Sequence, residues 1–169
     1  DAVREVQRIL RGAAILTERL EEFCRFIADR AGQGIAHLYL READGGQRMV
    51  ATSLSGGGFG GEYRLDPGTG VDGEAIRSQR TAVLRHEDGR IGFAALPLLA
   101  GNQLVGLLSL QAGPKGEQDR GTLESWQEIA AAAADTIARS DKEARMATRA
   151  ERINAINETS IRMLSCKEP

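Results

Sequence analysis

Ile91-Gly92-Phe93-Ala94-Ala95-Leu96-Pro97-Leu98-Leu99-Ala100-Gly101-Asn102-Gln103-Leu104-Val105-Gly106-Leu107-Leu108-Ser109-Leu110-Gln111 is the stretch on which the fold turns. Two short apolar runs, Ile91 to Leu99 and Gln103 to Gln111, flank the turn residues Ala100-Gly101-Asn102. Runs of this length around such a turn read as a β-hairpin. Pro97 cannot donate to a ladder, which places it at an edge or a bulge. Upstream lies a second hairpin: Ile35 to Arg41, the turn Ala43-Asp44-Gly45-Gly46, and a return from Arg48 to Leu54. Its first strand is apolar at nearly every position, as expected of a central strand covered on both faces. Between the hairpins, the sequence predicts a short strand at Glu62 to Leu65 and a short helix from Gly73 to Ser78. A strand from Thr81 to Leu84 and a turn from Arg85 to Arg90 follow. Ser55 to Gly61 is glycine-rich around one aromatic residue, Phe59, and reads as a loop.

Helical patterns bracket this strand-rich middle. Val3, Val6, Leu10, Ala13, Thr17, Leu20, Cys24, Ile27 and Ala31 recur in steps of three and four, the spacing of a heptad seam. Gly12 is a weak point that can split the stretch in two, and Gly32 and Gly34 close it. From Gly121 the chain reads as helical for roughly 40 residues, about 60 Å at 1.5 Å per residue. Leu123, Trp126, Ala130, Ala133 and Ile137 form a core stripe; a second stripe of Met146, Ala150, Ile153 and Ile156 follows polar Ser140-Asp141-Lys142-Glu143. A compact domain cannot cover such a length, so the distal half is expected to pair with its own copy. Val3, Val6, Leu10, Met146, Ile153 and Ile156 are the expected dimer contacts.

Composition narrows the function. At 169 residues the chain suits one domain with helical extensions. The net charge is -2 with both signs interspersed, which argues against a nucleic-acid-binding face. Cys24 and Cys166 form no zinc or disulfide pattern, and a reducing cytoplasm is the natural setting. No apolar run reaches the ~20 residues that span a bilayer. The chain opens on Asp1 inside a helical pattern, so a piece of a larger protein is expected.

The order of these pieces resembles the GAF domain, a small-molecule-sensing relative of PAS domains. The likeness rests on Leu38 to Leu40 before an Asp-Gly turn and on Pro67-Gly68-Thr69-Gly70-Val71-Asp72-Gly73-Glu74-Ala75. It rests also on Ala95-Leu96-Pro97-Leu98 with Gly101, Val105-Gly106 and Leu108-Ser109-Leu110, and on the closing helix with Leu123 and Ala130 to Ala133. The resemblance implies an α+β fold: a GAF/PAS-like twisted antiparallel sheet, terminal helices on one face, and a pocket on the other. It implies three parts: a linker or coiled-coil helix over residues 1–16, the domain over 17–138, and a signalling helix over 139–169. The last part resembles the opening helix of another such domain, so a tandem array is expected. Only Arg85 to Arg90 separates the middle strand from the Ala-Leu-Pro-Leu strand, a shorter gap than many family members have. The sequence lacks the Asn-Lys-Phe-Asp-Glu set of the cyclic-nucleotide branch and the pocket cysteine of the bilin branch.

Candidate ligand contacts are His37, Tyr39, Phe59, Tyr63, Arg64, Arg77 and Phe93. His37 reads foremost as a hydrogen-bonded core histidine, with haem ligation as a minor alternative. His86 reads as a surface residue in a polar turn, and neither histidine has a second ligand at metal spacing. The glycine loop lacks the Lys-Ser/Thr ending of a P-loop. No nucleophile-elbow motif is present. The methionine sulfoxide chemistry of some proteins with this fold needs pocket cysteines, and none is expected here. The expectation is therefore a non-catalytic, cytoplasmic relay domain of a bacterial signalling protein. It would form a homodimer, need no cofactor, and modulate an attached kinase, cyclic-dinucleotide enzyme or regulator. The alternative is a ligand-free dimerisation spacer.

Overall fold

The structure, a computed structural model, describes residues 2–11, 17–54, 63–66, 68–114 and 120–165. Helices α1 (Ala2–Ile9) and α2 (Thr17–Arg30) precede the hairpin β1 (Ile35–Arg41) and β2 (Gln47–Thr52). The short β3 (Arg64–Leu65), α3 (Gly70–Ser78) and β4 (Ala82–Arg85) lead to the second hairpin, β5 (Ile91–Ala100) and β6 (Gln103–Gln111). The chain then enters α4 (Arg120–Ser165). The strands form one antiparallel sheet in the order β3-β2-β1-β6-β5-β4, so the two hairpins join through β1 and β6. β1 is central, in agreement with its apolar sequence. The fold is the α+β arrangement that the sequence predicts, with each strand within two or three residues of its expected bounds.

Two sequence devices make the central pairing possible. Gly106 lies opposite Leu40 in the β1–β6 ladder, and a Cβ there would run into the Tyr39 carbonyl oxygen. Only glycine permits that approach. Pro97 sits where β4 has already ended, since the β4–β5 register closes at Ala82 and Ala95. A register shift between Leu98 and Leu99 follows directly. The missing amide therefore falls on a flank of β5 that carries no strand.

Helices α1, α2 and α4 lie on one face. Leu20, Phe23, Cys24 and Ile27 of α2 and Trp126, Ile129, Ala133 and Ile137 of α4 bury against Leu38, Leu96, Leu98, Leu108 and Leu110 of the sheet. A buried side chain of this size contributes about 1.5–3 kcal/mol through burial. The opposite face carries a smaller cluster, Tyr39, Ala75, Ala95 and Leu107, beneath α3.

The N-terminal expectation needs correcting. α1 ends at Ile9 and α2 begins at Thr17, in keeping with two helices, and Ala13 lies outside the described residues. Val6 and Leu10 are fully buried in the same core as Trp126, and Val3 is half-buried. α1 packs against α4 and α2. Its apolar stripe is consumed within the protomer, so Val6 and Leu10 are not exposed to a partner. Val6, Ile9 and Leu10 are thus part of the packed body.

α4 runs for 46 residues, about 69 Å. Its first half closes the core. Beyond Ser140 every residue with described burial is exposed, including Met146 (63%), Ile153 (49%) and Ile156 (63%). No helix among the described residues is long and apolar enough to cross a membrane.

Candidate functional site

A cavity of about 460 Å³ opens between α3, β3 and the face of the sheet opposite the long helices. Strand alternation builds its floor: odd-numbered Tyr39 of β1 and Phe93 of β5 point to this face, while Leu38 and Ala94 point to the helices. Its upper edge is the N-terminus of α3. Thr69 occupies the cap position without a side-chain hydrogen bond to the helix. Gly70 follows at φ +70°, a conformation that favours glycine, and turns the chain into the helix. This places Val71 and Asp72 on the cavity wall. The helix starts three residues earlier than the sequence predicts, because the glycine pair at 68 and 70 is the turn into it and not a loop before it.

β3 supplies the other wall, and an ion-pair network holds it. The Arg64 guanidinium donates to Glu42 through Nε at 2.9 Å and to Asp44 at 2.6 Å, with a further contact to Glu42. Arg48 donates to the same Glu42 at 2.9 Å. Hydrogen bonds from Arg64 hold the Glu42 and Asp44 carboxyls below the usual carboxylate range. The Met49 amide donates to the Tyr63 carbonyl at 2.9 Å, which fixes the backbone entering β3. Arg64 lines the cavity, but its charge is already matched.

Asp72 is the electrostatic centre. One carboxylate oxygen accepts from the Ser109 hydroxyl at 3.4 Å; the other, Oδ1, is buried with no hydrogen-bond partner. Burial raises its pKa, and the Ser109 hydrogen bond opposes the rise. Burial, and then the nearby Asp72 charge, push the Tyr39 phenol up to about 12. Ser109 lies opposite His37 in the β1–β6 register. His37 is half-buried, its Nδ1 is buried without a partner, and burial lowers its pKa. Gln47, 2% exposed, shares this face with Met49 by alternation, and both its amide atoms are unpartnered. Of the five such buried side-chain atoms among the described residues, four therefore belong to the cavity face. Buried polar atoms are nearly always paired, so this concentration marks the face as unusual.

The sequence-predicted contacts divide accordingly. Tyr39, Tyr63, Arg64 and Phe93 come together around the cavity. Arg77 does not: it lies on the exposed side of α3 and donates to Glu74 at 3.0 Å. His37 stands on the same sheet face but does not line the cavity. It is not the hydrogen-bonded core histidine expected, because its Nδ1 meets no partner, and a haem seated in the cavity would find no ligand in it. Phe59 lies outside the described residues. His86 is an exposed turn residue, as predicted. Asp72, which lines the cavity, and Ser109, which donates to it, are not among the sequence-predicted contacts. Asp72 was legible as an acidic residue in the first turn of a helix announced by Gly68-Thr69-Gly70; Ser109 reads only as part of an apolar strand.

Other chemistry finds fewer groups. No cluster of three or more metal-ligating side chains occurs among the described residues. Cys24 is buried in the helix-side core, and burial pushes its thiol up to about 12, so it is unreactive and remote from the cavity. Cys166 lies outside the described residues.

A six-stranded antiparallel sheet with helices on one face and a helix-capped cavity on the other defines the class, an α+β domain. The sequence pattern of the GAF domain matches residues 17–138, and the chain belongs to that family. Among solved structures, it is similar to the GAF domain from a Coxiella burnetii phosphoenolpyruvate-protein phosphotransferase. Identity is 18%, with 84% of this chain and 94% of that chain covered at a TM-score of 0.68. The corresponding Acinetobacter domain is 16% identical over 84% and 93% of the two chains, with a TM-score of 0.67. The fRMsr of Staphylococcus aureus, in its reduced form, is 14% identical over 80% and 92%, with a TM-score of 0.62. At these identities the likeness concerns the fold. No curated protein matches the chain.

Proposed function

We propose that this is a non-catalytic regulatory GAF domain that senses a small molecule in the α3 cavity. It relays the result through α4 to an attached output domain of a cytoplasmic bacterial signalling protein. The observation that carries this reading is the continuity of α4. Trp126 to Ile137 seal the helix-side core, and the same helix continues past Ser140 with its apolar residues exposed. Met146, Ile153 and Ile156 recur at seven- and three-residue steps, the spacing of a two-helix seam. A ligand that favours one packing of sheet against α4 shifts the population of helix positions, and a dimer of α4 helices carries the shift outward.

The relay half is tested by light scattering on the full chain and on the double variant Met146→Asp/Ile153→Asp. The wild type is expected at twice the chain mass and the variant at the chain mass. A wild-type monomer, or a variant that remains dimeric, sinks the α4 seam. A ligand-free spacer between domains is the competing reading. It is favoured by the tight turn from β4 to β5, where the His86 amide donates to the Arg90 carbonyl at 2.8 Å and no longer segment walls the cavity.

A further inference from the structure

We infer that the α3 cavity takes a small organic cation, a protonated amine whose N–H groups meet Asp72 and whose apolar body lies against Tyr39, Phe93 and Tyr63. This rests on the reading of the cavity as a sensor site and adds the chemical class of its ligand. The charge balance of the lining decides the sign. Three ionisable side chains of fixed charge line the cavity: Arg64, Asp66 and Asp72. Arg64 is matched by Glu42 and Asp44, outside the lining, so it offers an incoming anion little. Asp66 accepts from the Gly68 amide at 2.8 Å and stays at the exposed rim. Asp72 lines the cavity, accepts from the Ser109 hydroxyl and meets no basic side chain among the described residues. The net balance left for a ligand is negative.

The α3 N-terminus favours negative charge, and an anionic ligand there would be the obvious competitor. That position is already taken: Asp72 itself sits in the first turn. An anion would stand beside a partly desolvated carboxylate, whereas an ammonium brings the opposite charge and its own donors. The three rings add to this, because a cation is attracted to the face of an aromatic ring. A neutral ligand would gain the rings but not the charge. The cavity volume falls within the range of small-molecule sites.

The test uses the full chain and three probes of one shape: phenethylamine, phenylacetate and phenethyl alcohol. Each is titrated to about 10 mM while the amide NMR signals of Tyr39, Asp72 and Phe93 are followed, a range that covers millimolar Kd values. Phenethylamine is expected to shift these signals saturably and to bind at least about tenfold tighter than phenylacetate. Asp72→Asn, judged folded by its retained spectrum, is expected to lose that advantage. Equal or tighter binding of phenylacetate, or unchanged amine binding in Asp72→Asn, overturns the cationic class while leaving a small-molecule site in place. Silence from all three probes overturns the cation inference and moves weight to the spacer. The α4 seam is decided separately by the light-scattering result.

Discussion

The two faces of this one sheet hold neighbouring residues to different standards. On the helix side, Leu38, Leu96, Leu98, Leu108 and Leu110 meet α2 and α4 in one extended hydrophobic cluster. One residue along each strand, Tyr39 and Phe93 line a cavity beside the nine-residue α3, and His37 and Ser109 share their face. There a small apolar cluster is interleaved with orphaned polar atoms. The difference teaches where stability and specificity reside. A face that buries hydrocarbon completely gains free energy by area. A face that leaves an aspartate oxygen and an imidazole nitrogen unpaired loses some.

The largest expected effects fall on the helix face. Trp126→Ala should cost about 3–5 kcal/mol in urea unfolding, since it removes the largest fully enclosed side chain of the core. Leu10→Asp should abolish the native amide spectrum, because it places a charge in that same core. A folded Leu10→Asp monomer would instead restore α1 to a dimer seam and break the comparison. On the cavity face, half-buried Phe93→Ala should cost about 1–2 kcal/mol by the same measurement. A loss as large as that of Trp126→Ala would mean that the two faces carry equal weight.

The smallest effect has the opposite sign and a pH signature. The folded pKa of Asp72 lies above its ordinary value of 3.8. The native state therefore holds this proton more tightly than the unfolded chain does. That contribution is complete below about 3.8 and is lost as pH rises through the folded value. Asp72→Asn should accordingly raise the melting temperature at pH 7 by about 2 °C, on the order of 0.5–1 kcal/mol once partial exposure is allowed for. The gain should shrink toward pH 4. A variant less stable than wild type at pH 7 would show that the carboxylate is a structural asset.

Much of this contrast was legible in the sequence. The β5–β6 hairpin and the centrality of β1 follow from run length, turn residues and uninterrupted apolarity. Alternation along Ile35 to Arg41 and Ile91 to Leu99 sorts residues to faces, which is why Tyr39 and Phe93 line the same cavity. What alternation does not report is what lies above a face. Arg77 and Asp72 are five residues apart on α3, and nothing local says that one meets solvent and the other the sheet. The same limit hid the fate of α1. A three-four stripe is the same whether it meets a partner's helix or its own protomer, and α4, more than a hundred residues downstream, made the choice. His37 and Ser109 become neighbours only through a ladder between distant hairpins.

The unbroken course of α4 has a geometric consequence. Each residue of an α-helix turns the chain by about 100°, so the helix fixes the azimuth at which whatever follows Ser165 is presented. Residue count along the exposed half then works as an angular dial. One added residue swings the exit by about 100°, while seven return it to within about 20° of its start. Along the exposed half of α4, position is set in phase as much as in length.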